Sequence, residues 1–481
     1  MLLYVVIFLP FAAAVLAAGL PSDRLRPWLI PVTALIHFAL VLGITATAAP
    51  AVNPNSLLGL DALGRFILFV VSLLYAACSF YALGYFRYHA DWENRIFITA
   101  LLAFLGAMTI AAASRHLGLL WVAVEATTLV SAPMIYYNRN RFSIEATWKY
   151  LLLCSVGIAL AMLGILFVAY AGLHGGGEQE LLLDQMLASA SLYSKPWLRA
   201  GFVFLLVGFG TKMGLAPLHT WKPDAYGEAP GLVGGLLAGG LTSVAFLAIL
   251  RAVQIMIAAG EQVLVRQMLL ALGVLSLIFA AVFVIRQRDI KRMLAYSSVE
   301  HMGILVIGVA VGGLATYGAM FHVLNNALTK GVLFMTAGNI HRHYGSKRMC
   351  ETQGALSVLP YSASLFLAGF LAITGSPPFA PFMSEFTILR GMFAGGHLVL
   401  GALFIGLLVV IFIGMGGTVL PVTMGPHLEE TEDEASDYRE TLLTIGSPLF
   451  LLAAVLCLGI YLPEPLKIMF SEAAKLVEVT P

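Results

Sequence analysis

In the stretch HVLNNALTKGVLFM, His322, Asn326 and Lys330 stand at i, i+4 and i+8 inside an otherwise apolar run. On an α-helix these positions fall within about 80° of one face, so the three make a single polar stripe. A lysine or carboxylate at mid-helix in a bilayer costs about 2.5–3.5 kcal/mol, and each one therefore calls for a partner or a function. Other residues follow the same pattern. Glu125 is central in LGLLWVAVEATTLVSAPMIYY, with Thr128 and Ser131 at helical spacings from it, Lys212 lies in GFGTKMGLAPLHTW with His219 just past Pro217, and Glu385 lies in FMSEF. Ser297, Glu300 and His301 share a face in YSSVEHMG and are expected at the cytoplasmic mouth of a path. The chemistry these types can do is proton transfer. A Glu–Lys pair that is made and broken takes up and releases protons, and hydroxyl, amide and imidazole groups hold water between such pairs. Taken singly, each residue also fits a static ion pair, a snorkelling chain or an interhelical hydrogen bond. The series across successive helices points to a proton route.

The elements that must position these groups are membrane helices. Hydrophobic residues make up 60% of the 481 residues and charged ones 11%, and the apolar residues come in long blocks. A spanning helix needs about 20 of them. Fourteen segments are read, near 2–20, 28–48, 63–85, 96–113, 117–137, 150–172, 197–217, 230–256, 266–285, 295–313, 316–340, 358–389, 398–421 and 443–462. The first is expected to be a retained helix, because it lacks a basic leader and further spans follow it. The connecting loops are short, the longest being 173–196 and the acidic 425–440. Sixteen of the twenty-seven lysines and arginines fall in odd-numbered loops, Lys222 and Lys291 among them, with nine on the other side and two in the membrane. Odd loops are therefore expected in the cytoplasm and both termini outside.

Two segments are interrupted alike, the seventh at GFGTKMGLAPLHTW and the twelfth at AITGSPPFAPFMSEF, each with Gly and Pro beside an ionisable residue. Proline breaks the helical hydrogen-bond ladder and frees carbonyls. Matched breaks five helices apart imply two five-helix repeats of inverted topology, a transporter pattern. The expected division is 1–95 for helices 1–3, 96–256 for the first repeat, 257–421 for the second, and 422–481 for the acidic loop, helix 14 and an interfacial tail. On that tail Leu466, Met469, Ala473 and Leu476 share a face. A net charge of +1 offers nothing to nucleic acid. The four cysteines, Cys78, Cys154, Cys350 and Cys457, are far apart with no C-x-x-C pair, so no zinc, iron–sulfur or disulfide framework is expected. No nucleotide loop or nucleophile elbow is present, and no catalytic residue, resident cofactor or metal ligand set is expected in this chain.

TKMGLAPLHTWKPDAYGEAP (211–230), QRDIKRMLAYSSVEHMG (287–303), HVLNNALTKGVLFMTAGNI (322–340) and GSPPFAPFMSEF (375–386) resemble the antiporter-like proton-pumping subunits of respiratory complex I and its relatives. Within that superfamily YSSVEHMG, ALTKGVLF and the run from Trp121 look most like the hydrogenase-4 branch, in its F-type membrane component. The resemblance spans nearly the whole chain. It implies fourteen helices in inverted five-helix repeats, with Glu125, Lys212, Lys330 and Glu385 on a hydrated proton axis coupled to electron transfer elsewhere. It also implies that NiFe and iron–sulfur centres belong only to partner subunits. The sequence departs from the family pattern on the eighth helix, where Thr242 and Ser243 stand instead of a lysine or histidine, and at Asn326 and Tyr226, where relatives often carry histidine.

The reading is an all-α polytopic protein of the cytoplasmic membrane. It is expected to be a proton-translocating subunit of a hydrogenase-4-like or other complex I-like oxidoreductase, working with other membrane subunits and, through them, a peripheral redox arm. His322 joins the four axis residues on the route, and His219, Thr242, Ser243, Glu300, His301 and Asn326 support it. Two alternatives stand beside this: a subunit of a multisubunit Na⁺/H⁺ antiporter, using unwound carbonyls near Gly375 to Pro378, and a membrane scaffold that does not pump.

Overall fold

Each apolar run becomes a helix, and short polar or glycine signals mark where helices begin. Asp61 accepts a hydrogen bond from Gly64 N (2.9 Å), Asp289 from Arg292 N (2.9 Å), and Asn140 forms a reciprocal cap with Ser143. The computed structural model describes residues 2–46, 56–89, 92–176, 181–426 and 438–478, and most of the acidic stretch expected as a loop at 425–440 lies outside the described residues.

Helices α1 (Leu2–Gly19), α2 (Leu29–Ala46), α3 (Ala62–Tyr88), α4 (Arg95–Ala113), α5 (Leu117–Ile135) and α6 (Arg141–Gly175) are the first six segments. The Asn140 cap starts α6 well before the expected residue 150. After a short α7 (Leu183–Ser189), the seventh segment is split into α8 (Lys195–Met213) and α9 (Trp221–Glu228). The eighth is α10 (Gly231–Gly235) and α11 (Thr242–Ala258), joined by a π-helical turn over Leu236–Leu241. Then come α12 (Gln262–Val284), α13 (Ile290–Val311), α14 (Leu314–Tyr344) and a short α15 (Ala355–Val358). The twelfth segment is α16 (Pro360–Ile373) and α17 (Ala380–Ala394), followed by α18 (Leu398–Met424), α19 (Leu442–Ile460) and a tail helix, α20 (Glu464–Lys475). No strand is formed among the described residues, only three isolated bridges.

All fourteen expected segments are present, and the two interrupted ones are broken where Gly and Pro predict. Each break holds a cis X-Pro peptide, Ala216–Pro217 and Pro377–Pro378. Eleven helices among the described residues are long and apolar enough to cross a membrane. The remaining three segments are the two broken ones and α14, which carries the polar stripe of the opening stretch. Outward faces are apolar, as at Trp148, Leu152 and Val156 on α6 and Val399, Val409 and Ile413 on α18. The polar side chains turn inward, the arrangement a lipid solvent requires. Glycines let central helices approach: a Cβ at Gly231 would meet Phe334 O of α14 at 2.5 Å, and one at Gly239 would meet the Ala327 Cα at 2.9 Å.

The tail differs in detail from its expected face. Phe470, Ala473, Ala474 and Val477 are buried, while Leu476 is exposed. The Phe470 ring sets the rotation by packing edge-on to Phe66 and stacking on Phe321.

Ion pairs tie helices together at both ends of the bundle. At one, Asp224 of α9 meets Lys149 of α6 (2.9 Å) and Arg292 of α13 (2.6 Å), and Glu228 meets Lys347. At the other, buried Arg251 forks onto Asp61 (2.5 and 2.7 Å) and Arg115 joins Asp61 (3.2 Å) to Asp184. Burial alone would raise the Asp61 carboxyl, but the Arg251 guanidinium overrides it and holds the group at about 2, below the ordinary 3.8. A depressed folded value means that this stabilisation is present above the unfolded value and fades as pH falls toward 2. Asp61→Ala leaves Arg251 buried without its partner and is expected to cost about 3–5 kcal/mol. A melting curve of the detergent-solubilised protein checks this, and an unchanged midpoint would mean that the pair is idle.

Candidate functional site

The buried polar side chains form a row across the bundle, beginning on α5. Glu125 is partly exposed there, and its carboxylate accepts from the Thr128 hydroxyl (3.1 Å) and from Ser155 of α6 (3.1 Å). Lys212, in the last turn of α8, is buried and donates to Thr128 Oγ1 (2.7 Å) and to Tyr150 OH (2.9 Å). Glu125 and Lys212 are thus joined through one hydroxyl, one turn along α5, and not by the direct pair that the sequence suggests. The Tyr150 hydroxyl is held in turn by Ser131 (2.6 Å).

Beyond the break lies a group that sequence reading misses. A charge between two apolar runs reads as a loop charge, which is why Lys222 is expected in the cytoplasm. On α9 it is wholly buried instead, donates to Ser298 Oγ (3.1 Å) and lies 5.8 Å from the centre of the Tyr226 ring. Gly214 makes room for it. This residue caps α8 with φ +80°, and a Cβ there would overlap the Lys222 Cε. The one available sequence signal is the break, since a chain that leaves a helix mid-membrane carries its next few residues inside. Lys291, likewise expected in a loop, is buried against Ala229 O (3.1 Å) and His341 Nδ1 (3.2 Å). Moving both inside lowers the basic residues counted in odd loops from sixteen to fourteen, against nine on the other side.

On α13 the adjacent hydroxyls of Ser298 and Ser297 receive different lysines. Ser297 Oγ accepts from Lys330 Nζ of α14 (2.7 Å), which also approaches Leu294 O (3.4 Å), and Ser297 donates to Glu300 Oε2 (3.4 Å). Lysine, hydroxyl and carboxylate therefore recur in the same order in the two halves. In each half the hydroxyl and carboxylate lie three residues apart on one helix, Thr128 with Glu125 on α5 and Ser297 with Glu300 on α13.

The row continues to α17. Glu300 is 3.8 Å from His301 Nε2, His301 Nδ1 meets His322 Nε2 (2.9 Å), and His322 Nδ1 meets Ser384 Oγ (2.9 Å). Ser384 also accepts from Asn325 Nδ2 (3.1 Å), and its neighbour Glu385 is buried, with Oε1 lacking a protein partner. Glu300 and His301 are therefore not at a mouth. The helix begins at Ile290 and not near 295, which places them in the buried middle of the row.

Four further sequence candidates stand apart from the row's hydrogen bonds. Thr242 and Ser243 donate to carbonyls of their own segment, Ala238 O (2.6 Å) and Gly239 O (2.5 Å), beside the π turn. His219 is enclosed by Phe279, Phe283 and Tyr296, with Nδ1 unpartnered. Asn326 is on the stripe between His322 and Lys330, and its buried Oδ1 has no protein partner. It is the adjacent Asn325 that reaches the broken helix, at Ala380 O (2.9 Å).

What this arrangement can do is pass protons. Lysines, carboxylates and imidazoles are linked through hydroxyls that both accept and donate, inside an apolar bundle where an unlinked charge would be costly.

Comparison with known proteins agrees with the geometry. Residues 114–413 match the family described as NADH:quinone oxidoreductase/Mrp antiporter, TM. The chain is 31% identical to the hydrogenase-4 component F homolog of Methylacidiphilum infernorum, over 98% of this chain and 99% of that one. It is 32% identical to NADH-quinone oxidoreductase subunit N of Desulforudis audaxviator, over 73% and 68%. Among solved structures, it shares the fold of a chain of the archaeal membrane-bound sulfane sulfur reductase, with a TM-score of 0.87 at 20% identity, covering 99% and 98% of the two chains. It also shares the fold of a chain of the Mrp complex from a Dietzia species, with a TM-score of 0.85 at 19% identity, covering 99% and 97%. The chain belongs to the NADH:quinone oxidoreductase/Mrp antiporter transmembrane family and is a complex I-like membrane subunit.

Proposed function

We propose that this chain translocates protons as a membrane subunit of a hydrogenase-4-like or other complex I-like oxidoreductase, in company with other membrane subunits and a redox arm that holds the NiFe and iron–sulfur centres. The observation that carries this reading is the twice-built lysine–hydroxyl–carboxylate unit, with Lys222 held on Ser298, the neighbour of Ser297 in the second unit. A charge change near Glu125 alters its hold on the Thr128 hydroxyl, and with it the hold on Lys212. A proton then passes toward Lys222, Lys330 and the His301–His322 pair, and Glu385 beside the second break is its last station. Ser, Thr and Asn side chains hold the water between these groups. The cytoplasmic membrane is the site of action, with odd-numbered loops inside and both termini outside.

The direct test is donor-driven proton uptake in inverted membrane vesicles, with electron transfer followed in the same preparation. Lys212→Met is expected to lower uptake at least fivefold in an assembled complex. Uptake and electron transfer that both persist at wild-type rates would make Lys212 structural and leave the scaffold reading in its place.

A further inference from the structure

The expectation that this chain offers no metal ligand set rests on spacing along the sequence, and the fold brings distant residues together. His301 on α13, His322 on α14 and Glu385 on α17 each offer one ligating atom, these atoms lie within 4.8 Å of one another, and all three residues are buried. His301 Nδ1 and His322 Nε2 are 2.9 Å apart. A tetrahedral zinc ion with bonds of about 2.0–2.1 Å holds two nitrogens roughly 3.3 Å apart, so the imidazoles need to open by only a few tenths of an ångström. Glu385 has three side-chain torsions with which to close the longer edge.

The surroundings resemble a built metal site. In such sites the far nitrogen of each ligating imidazole is oriented by an outer partner. Here His322 Nδ1 rests on Ser384 Oγ (2.9 Å), whereas His301 Nε2 has no hydrogen-bond partner among the described residues and faces Glu300 Oε2 at 3.8 Å, a gap that a small turn of the ring would close. Glu385 Oε1 is buried with no protein partner, and the other carboxylate oxygen lies against Gly375, where a Cβ would collide with it. The charges also balance, since Glu385 and Glu300 together match a divalent ion. Lys330, reached from Glu300 through Ser297, opposes the ion whenever it is protonated.

We propose that His301, His322 and Glu385 bind a divalent transition-metal cation of the zinc class, with water as the fourth ligand. Binding itself does not rest on the proton-route reading. The consequence does: an ion at this point occupies both imidazoles and blocks the passage from Lys330 to Glu385.

The test uses the full chain purified without a polyhistidine tag and titrated with Co²⁺, whose visible absorption reports tetrahedral coordination. One Co²⁺ per chain is expected, displaced by Zn²⁺. His301→Gln, His322→Gln and the isosteric Glu385→Gln should each weaken binding at least tenfold, and Glu300→Gln about tenfold through the outer contact. His219→Gln, a buried histidine outside the cluster, should leave binding unchanged. Equal Co²⁺ affinity in wild type and the three ligand variants, or a purely octahedral spectrum, overturns the site. A second arm adds Zn²⁺ to inverted vesicles during donor-driven uptake. Bound ion with undiminished uptake keeps the site and removes the block, so the two failures are told apart.

Discussion

Lys222→Met is expected to lower donor-driven proton uptake more than tenfold while the complex assembles and electron transfer continues. Among the described residues, Lys222 is a buried ammonium hydrogen-bonded to Ser298 alone, beside Ser297 of the second lysine–hydroxyl–carboxylate unit. Its neighbour Tyr226 packs on Trp221, which packs on the Tyr150 that holds Lys212 of the first. Methionine has nearly the same length and flexibility, so the stem that lies across Gly214 is still filled. Removing a buried ammonium also relieves its desolvation cost, so this change is not expected to unfold the protein. Loss of uptake in a folded complex would therefore be loss of a proton station. The departure noted on the eighth helix gives the result a wider meaning. Thr242 and Ser243 are turned onto their own backbone, so the centre of the row depends on the seventh segment, from beyond its break. If Lys222→Met retains more than half of wild-type uptake, protons cross the centre by water alone and the lysine is a packing residue.

The parts of this molecule that are legible in the sequence are those governed by lipid. An apolar run of sufficient length has one solution in a bilayer, so the helices are readable, and Pro with Gly in two of them marks both breaks. Glu125, Lys212, Lys330 and Glu385 are readable for the same reason, as charges inside such runs. What stays hidden depends on depth and direction. Lys222 and Lys291 sit between runs on the page but inside the bundle in space, because α9 and the start of α13 are enclosed by neighbours that local composition does not reveal. Glu300 and His301 read as a mouth only when the helix is started too late. The junction of His301, His322 and Glu385 draws on three helices and has no local signal at all.

Ser297→Ala is the sharper test of how the units work, because it removes one oxygen and no charge. Ser297 accepts from Lys330 (2.7 Å) and donates to Glu300 (3.4 Å), so alanine separates the lysine from its carboxylate while both remain. Losing a buried hydrogen bond costs about 1–3 kcal/mol, and each 1.4 kcal/mol on a barrier is a factor of about ten in rate. Uptake is therefore expected to fall roughly tenfold. The matching change in the other unit, Thr128→Val, keeps shape and removes the hydroxyl between Lys212 and Glu125, and an effect of similar size is expected there. Thr336→Val serves as the control. This hydroxyl is on α14 too, but it donates only to carbonyls of its own helix, Val332 O (2.8 Å) and Leu333 O (3.1 Å), and a change below twofold is expected. If Ser297→Ala and Thr128→Val behave like Thr336→Val, the hydroxyls are incidental and the lysines communicate with the carboxylates through the field alone. If Ser297→Ala is severe and Thr128→Val is mild, the two units are not functional equivalents. Glu125, the one partly exposed carboxylate of the row, would then act as a sensor of a neighbouring subunit and not as a station for the transported proton.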